Sequence, residues 1–309
     1  MKKIIILSGA LFLLFYLTSF SQDKFQLIFQ PSAGLHFITE YDVSTIIRQE
    51  IMGIEQEIEM NMLMEMDNLV KSVEDSSIHV TTYYKRLAIE TMTPSGRVQV
   101  DSDSQEDQIG KDFLKKITGR RFMVVFDHQG MVKEIHGLEN IIQDITADIS
   151  SENDQVQSYK NTLDDAFGQG NIKNSLNQMT PFFPEYPIGI HDSWDWDMNS
   201  RTAQFELRLK NTSIVKDASA ERIIIQTNSN ILTPENPIIN LDGKNALLKM
   251  SGKQVSELYI QTKTGLTTEG VIKQDLNGEL RIAMSDKSLE TMAIPMKIST
   301  SISLRMKFK

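Results

Sequence analysis

The strongest constraint on this chain is an alternation of apolar and polar residues that returns in segment after segment. Ile54, Ile58, Met60, Met62, Met64 and Met66 share one parity, while Glu55, Glu57, Glu59, Asn61, Glu65 and Asp67 share the other. Successive side chains of a strand point to opposite faces, so the pattern predicts a strand with one dry and one wet side. Glu and Met favour helices, but on a helix these methionines would point all round the axis. Ile294, Met296, Ile298, Ile302, Leu304, Met306 and Phe308 repeat the pattern. Within residues 78–92, Val80, Thr82 and Tyr84 share one parity and Leu87 and Ile89 take the other. That switch predicts a β-bulge near Arg86. Residues 203–210, 223–231, 247–260 and 280–284 continue the strand theme. Pro94-Ser95-Gly96 reads as a turn, and Thr264-Gly265 and Asn277-Gly278 read as hairpin turns.

The middle of the chain changes period. Ser104-Gln105-Glu106-Asp107 has the form of a capping box, followed by Ile109, Phe113, Leu114 and Ile117 and a stop at Gly119. A hairpin is expected over residues 122–135, turning at 127–130. Leu138, Ile141, Ile142, Ile145 and Ile149 form a helical stripe. A second capping box at 151–154 leads into Val156, Tyr159, Leu163 and Phe167, and a short helix carries Ile172, Leu176 and Met179. Residues 180–190, with Pro181, Pro184 and Pro187, form the main connector. The expected fold is α+β, mostly β: a large curved, half-barrel-like antiparallel sheet wrapping a central group of amphipathic helices. Strands are expected in 22–103, helices with one hairpin in 104–180 and strands again in 191–309, as one β-rich domain spanning 22–309, because neither strand region has a helical cover of its own.

Residues 1–21 read as a signal peptide. Lys2 and Lys3 precede an almost wholly apolar run from Ile4 to Leu17, and Ser19-Phe20-Ser21 offers small residues to the peptidase, leaving Gln22 first. The run is about 14 residues, short of the roughly 20 that span a bilayer, so no transmembrane segment is expected after cleavage. The expected location is periplasmic or extracellular. The absence of cysteine removes disulfides, thiolate metal sites and a lipid-modified cysteine. A net charge of −9 without a dense basic patch argues against nucleic acid as a partner.

Two stretches carry a resemblance. Pro187-Ile188-Gly189-Ile190-His191-Asp192-Ser193-Trp194 resembles a P-x-x-V-x-x-G-D-S-W lead into a second sheet half. Tyr259-Ile260-Gln261-Thr262-Lys263-Thr264-Gly265-Leu266 resembles a Y-x-x-D-x-x-T-G hairpin. With the signal peptide, the strand at Tyr41 and the hairpin over 122–135, the chain resembles a Bacteroidota family of secreted domains of unknown function. His191 replaces the usual glycine and Gln261 the frequent aspartate, which weakens any ligand role for that turn. The resemblance implies an envelope location and no defined activity. The architecture is more distantly similar to half-barrel periplasmic lipoprotein carriers, whose curved sheet holds an apolar cavity under a helical lid.

The chemical motifs are few. Met60, Met62, Met64 and Met66 could be packed core, an adaptable apolar cavity or a thioether site for Cu(I). His191, Asp192, Asp195 and Asp197 flank Trp194 and Trp196, but the acids and tryptophans fall on opposite strand faces, with the tryptophans expected to plug one end of the core. Asp101, Asp103 and Asp107 resemble a calcium loop, yet Glu106 stands where that loop needs glycine and Asp112 where it needs glutamate. His36, His79, His128 and His136 are scattered. No nucleophile-elbow, phosphate-loop or dinucleotide motif is present, so a non-enzyme without a cofactor is expected. The final alternating strand resembles those of outer-membrane barrels, but aromatics at 7% are too few for paired girdles. The expected function is a secreted or periplasmic binding protein holding a lipid or other apolar small molecule between sheet and helical lid. Met60, Met62, Met64, Met66, Ile141, Ile145, Tyr159 and Leu163 are the candidate cavity residues. The alternative is a non-enzymatic structural or interaction module with an envelope protein as partner.

Overall fold

The computed structural model describes residues 24–105, 111–147, 167–201, 206–235, 237–241, 244–283 and 291–309. In chain order these form β1 (His36–Ile51), β2 (Ile54–Val73), β3 (Ile78–Thr93), β4 (Gly96–Asp101), α1 (Lys111–Ile117), β5 (Arg121–Phe126), β6 (Val132–His136), α2 (Leu138–Ala147) and α3 (Gln169–Met179). Then follow β7 (Ser193–Arg201), β8 (Glu206–Ala218), β9 (Arg222–Leu232), β10 (Ile238–Leu241), β11 (Lys244–Gln261), β12 (Thr267–Ala283) and β13 (Thr291–Phe308). All thirteen strands join one antiparallel sheet in the order β6-β5-β3-β2-β1-β13-β12-β11-β9-β8-β7, with β4 on β3 and β10 on β11. The two halves meet where β1 pairs with β13, from Phe37 opposite Phe308 to Gln49 opposite Met296.

Alternation becomes a two-faced sheet. Along β8 and β9 buried and exposed residues alternate almost without a break. The exposed face is charged and paired across strands: Arg48 Nε lies 2.6 Å from Glu57, Lys85 Nζ 3.0 Å from Glu65, and Lys307 pairs with Glu40. A membrane barrel needs an apolar band on that face; here the apolar residues turn inward. The expected bulge exists. Glu65 pairs with Arg86 and Met66 with Tyr84, leaving Lys85 as the extra residue that carries Leu87 onto the face of Tyr84.

The sheet curls until strands far apart in its order share one core. Ile78 and Val80 of β3 pack in the same cluster as Val215, Ile223 and Ile225 of β8 and β9. Glycines permit the bend. A Cβ on Gly252 would lie 1.9 Å from the Asp275 carbonyl oxygen, and one on Gly278 1.8 Å from that of Lys249. This corrects one expectation: Asn277-Gly278 is not a hairpin turn but lies within β12, opposite Ser251 and Met250. Gly278 is there for close backbone approach. Thr264-Gly265 does make the β11–β12 turn, with Gly265 at φ +70°.

Among the described residues, strands begin at His36. Residues 24–35 form an extended strap across one end of the curl, where Phe25 and Ile188 exchange backbone bonds of 2.9 Å. Phe29 N donates to His128 O at 2.9 Å and Gln30 N to Thr264 O at 2.8 Å, tying the strap to two hairpin turns. Trp194 is buried beneath it and donates from Nε1 to Phe182 O at 2.9 Å, while Asp195 and Asp197 are exposed.

The helices follow their stripes. Leu114 and Ile117 of α1, and Leu138, Ile141 and Ile145 of α2, are buried against β2, β3 and β5. Gly119, φ +77°, ends the first helical segment and bonds Tyr84 O at 2.9 Å. The capping box expected at 104 precedes α1 by several residues, and 106–110 lie outside the described residues. So do the stripes through Val156 and Tyr159 and the segment 202–205.

Helix α3 spans the gap between the edge strands β6 and β7. Gln169 Nε2 donates to Ile135 O at 3.0 Å, Lys173 Nζ to Lys133 O at 2.7 Å, and Asn177 Oδ1 accepts from Val132 N at 2.7 Å. These residues sit four apart, one stripe of the helix laid along a strand edge. Gln178 Nε2 reaches Ser200 Oγ on β7 at 2.6 Å. The helix thus satisfies backbone groups that an exposed edge would leave open to aggregation. Asn177→Leu keeps the volume but orphans the Val132 N–H. It is expected to cost about 1–3 kcal/mol and to speed hydrogen exchange at Val132. Unchanged exchange there would show that α3 does not seal the edge.

A buried carboxylate, Asp67, ties β2 to the start of β1 and to Lys309 just past β13. Asp67 lies 2.7 Å from His36 Nε2 and 2.5 Å from Lys309 Nζ. Burial raises the Asp67 pKa, but bonds from Lys309, His36 and Tyr83 outweigh it and hold the carboxyl below its ordinary value. Such a group contributes stability that is complete above the unfolded pKa, about 4, and is lost as pH falls through the depressed value. Urea midpoints of the wild type are expected to fall more steeply on acidification than those of Asp67→Asn. Parallel acid limbs would contradict this.

Candidate functional site

The candidate site is the inner face of the curl. Register defines it row by row. Met66, Met64, Met62 and Met60 face Thr39, Tyr41, Val43 and Thr45 on β1, and those face Met306, Leu304, Ile302 and Thr300 on β13. The methionines share a face but not an environment. Met66 and Met64 are 2% and 9% exposed, in one cluster with Ile141, Ile145, Tyr84 and Leu87, whereas Met60 is 40% exposed. Among the described residues, α1 and α2 thus pack over Met66 and Met64 and not over Met60. Tyr159 and Leu163 lie outside the described residues.

Beyond the packed part, the inner row residues Val43, Ile47, Ile58, Met62, Ile298 and Ile302 are only half-buried. They form one apolar strip of the inner face, the trough, which lies apart from the linings of both cavities and meets the packed clusters at Ile302 and Ile298. Past this strip, an open concavity of ≈ 610 Å³ at the β1–β2 hairpin end is lined mostly by residues of outward parity, Arg48, Glu50, Glu55, Glu57 and Lys297 among them, with Gln49, Gln56 and Met296 of the inward parity. Under the strap a small cavity of ≈ 60 Å³ is lined by Phe37, Tyr41, Met66, Asn68, Met179 and Thr267. It has room for a few waters and none for an acyl chain.

Electrostatics separates interior from rim. The inward parity of β1, from Phe37 to Ile51, carries no charge, nor does that of β2 from Gln56 to Val70 or of β13 from Ile294 to Phe308. Charge appears at the hairpin end, with Arg48, Glu50, Glu55, Glu57 and Lys297 around the concavity. Inside, burial pushes the phenols of Tyr41 and Tyr84 up, so both stay protonated; Tyr84 Oη has no partner among the described residues.

The other sequence candidates are occupied or apart. Asp192 accepts from Gly189 N at 2.9 Å, and Asp195 from Thr212 Oγ1 at 2.6 Å. Asp101 is held by Arg86 Nη2 at 2.7 Å, and Asp107 lies outside the described residues. His36, His79, His128 and His136 stay separate, and among the described residues no three His, Asp or Glu groups converge as a metal site. No helix of the described residues is long and apolar enough to cross a membrane.

Comparison with known proteins gives fold and family. A solved structure concerning lipid–protein interactions in lipovitellin is similar at a TM-score of 0.51 and 7% identity, over 89% of this chain. This chain spans 25% of that one, so the likeness is one of fold. An outer membrane channel from Pseudomonas putida F1 aligns over 90% of this chain and 98% of its own at 7% identity, with a TM-score of 0.30 that is too low to bear on the fold. No curated protein matches the chain. The model of the family of unknown function DUF6263 matches residues 75–267, from the β2–β3 turn to the start of β12, and the chain belongs to that family.

Proposed function

We propose that this protein is an exported binding protein that holds a lipid or other apolar ligand in the trough between the curved sheet and its helices. The observation that carries this reading is the inner row Val43, Ile47, Ile58, Met62, Ile298 and Ile302, apolar throughout and only half-buried among the described residues. Burying such a row against an acyl chain is favourable by roughly 25 cal/mol per Å², and methionine adapts to guests of varied shape. The ligand lies in the trough rather than in the ≈ 60 Å³ cavity, which is too small for it. The fold likeness to lipovitellin is consistent with this use of a curled sheet. Export follows from the leader-like residues 1–21. Native mass spectrometry of protein purified from its own envelope is expected to show a bound mass that organic extraction releases as lipid. A homogeneous apo mass would overturn the reading.

A second reading, a non-enzymatic interaction module of the envelope, draws on the β1–β2 hairpin tip, where Met52 and Ile54 are 82% and 65% exposed. An envelope complex lost in the Met52→Ser, Ile54→Ser double variant would favour it.

A further inference from the structure

The inner face is not uniformly apolar. One transverse row runs from Thr45 to Thr300, Gln274, Gln254, Ser229 and Asn211, each residue opposite the next on the neighbouring strand. A shorter row, Ser256, Thr227 and Ser213, runs beside it. This polar band crosses between Leu209, Ile231 and Leu276 on one side and Val215, Ile225 and Leu258 on the other. A core that only had to pack would fill these positions with apolar side chains, because a buried polar group gains nothing unless it is bonded.

Part of the band is bonded within itself. Thr45 and Thr300 hydroxyls lie 3.2 Å apart, Gln274 Nε2 donates to Gln254 Oε1 at 3.0 Å, and Ser213 lies 2.8 Å from Thr227. Ser229 Oγ, on a residue 3% exposed, has no partner among the described residues. The β12–β13 end of the band, Gln274 and Thr300, is half-buried and adjoins the trough floor at Ile302 and Ile298. No residue of either row is charged.

Resting on the reading of the trough as a lipid site, we infer that its ligand is an uncharged lipid of the acylglycerol type, whose ester and hydroxyl groups bond the half-buried end of the polar band, Gln274 and Thr300, while its chains lie on the apolar rows. The band supplies both donors and acceptors, as ester carbonyls and free hydroxyls require. An ionised carboxylate or phosphate would enter a face with no compensating cation, which disfavours free fatty acids and phospholipids there. The charged groups at the hairpin end stand around the opening, outside these rows.

The test uses delipidated full-length protein, mixed detergent micelles and native mass spectrometry. Diolein is expected to be retained on the order of tenfold better than ionised oleate or dioleoylphosphatidylcholine. Thr300→Val removes a half-buried hydroxyl at the end of the band that adjoins the trough and is expected to lower diolein retention while shifting the unfolding midpoint little. Retention of squalane, which has no polar group, is expected to be unaffected. Gln254→Leu with Gln274→Leu should act the same way and more strongly; Thr45→Val serves if that pair does not fold. Equal or preferential retention of oleate or phospholipid would overturn the inference and leave the lipid reading standing. Retention of none of these lipids would overturn both.

Discussion

Gly278→Ala is expected to be one of the most damaging single substitutions in the protein, destabilising it by about 3 kcal/mol, the upper end of overpacking effects. The new Cβ would stand 1.8 Å from the Lys249 carbonyl oxygen and 2.7 Å from Met250 Sδ. A side chain can swing away from such a clash; the backbone of a central strand cannot without breaking its ladder. β12 and β11 approach this closely because the sheet bends there, and Gly252 makes the reciprocal approach, with its Cβ position 1.9 Å from Asp275 O. Gly170 is the control. It lies in α3 with nothing within 4 Å of its Cβ position, so alanine there is expected to be neutral or stabilising by up to about 1 kcal/mol. Urea unfolding of the two variants decides the matter. A Gly278→Ala midpoint equal to that of Gly170→Ala would mean that the curl does not depend on these glycines.

Trp194→Ala is expected to cost about 3–5 kcal/mol, the range for deleting a large buried aromatic. Trp194 is 4% exposed in the cluster that joins β3, β8 and β9 under the strap. Its indole N–H bonds Phe182 O, so the ring fastens the connector as well as filling space. Loss of the ring should therefore free that connector, and limited proteolysis is expected to cut within residues 181–190 before the strands melt. Trp194→Phe keeps most of the packing and loses the bond, with an expected cost of about 1 kcal/mol. Cleavage elsewhere first would show that this end of the curl is closed by something other than this ring.

Much of the local structure was legible in the sequence, because each local device has a short range. The parity switch between Tyr84 and Leu87 marked the bulge at Lys85, since one extra residue inverts every later side chain. The Leu138, Ile141 and Ile145 stripe marked α2 because that face had to be buried. Asn277-Gly278 was misread for an equally local reason: the dipeptide suits a hairpin turn and also suits a strand whose neighbour comes too near for a Cβ. Only the neighbour distinguishes the two. The candidate site was legible in part. The inward parity of Met60, Met62, Met64 and Met66 follows from period two, but the gradient from Met66 to Met60 depends on where α1 and α2 lie above the sheet. The polar band left a faint signal, in that Thr45, Ser229, Gln254, Gln274 and Thr300 stand at apolar parity within their own strands. Nothing in any one strand showed that these positions form a continuous row.

Alone, the sequence determined which residues turn inward, where the chain bends and which helical stripes seek cover, because these depend on neighbours a few residues away. Tertiary structure alone decided that β1 lies beside β13, that α3 seals the gap between β6 and β7, and that separate polar residues align across the interior. Those arrangements depend on contacts between residues as far apart as Glu40 and Lys307. Antiparallel pairing has no sequence code for partner choice; the register that buries the most apolar surface with its backbone bonds satisfied is selected only when the whole sheet assembles.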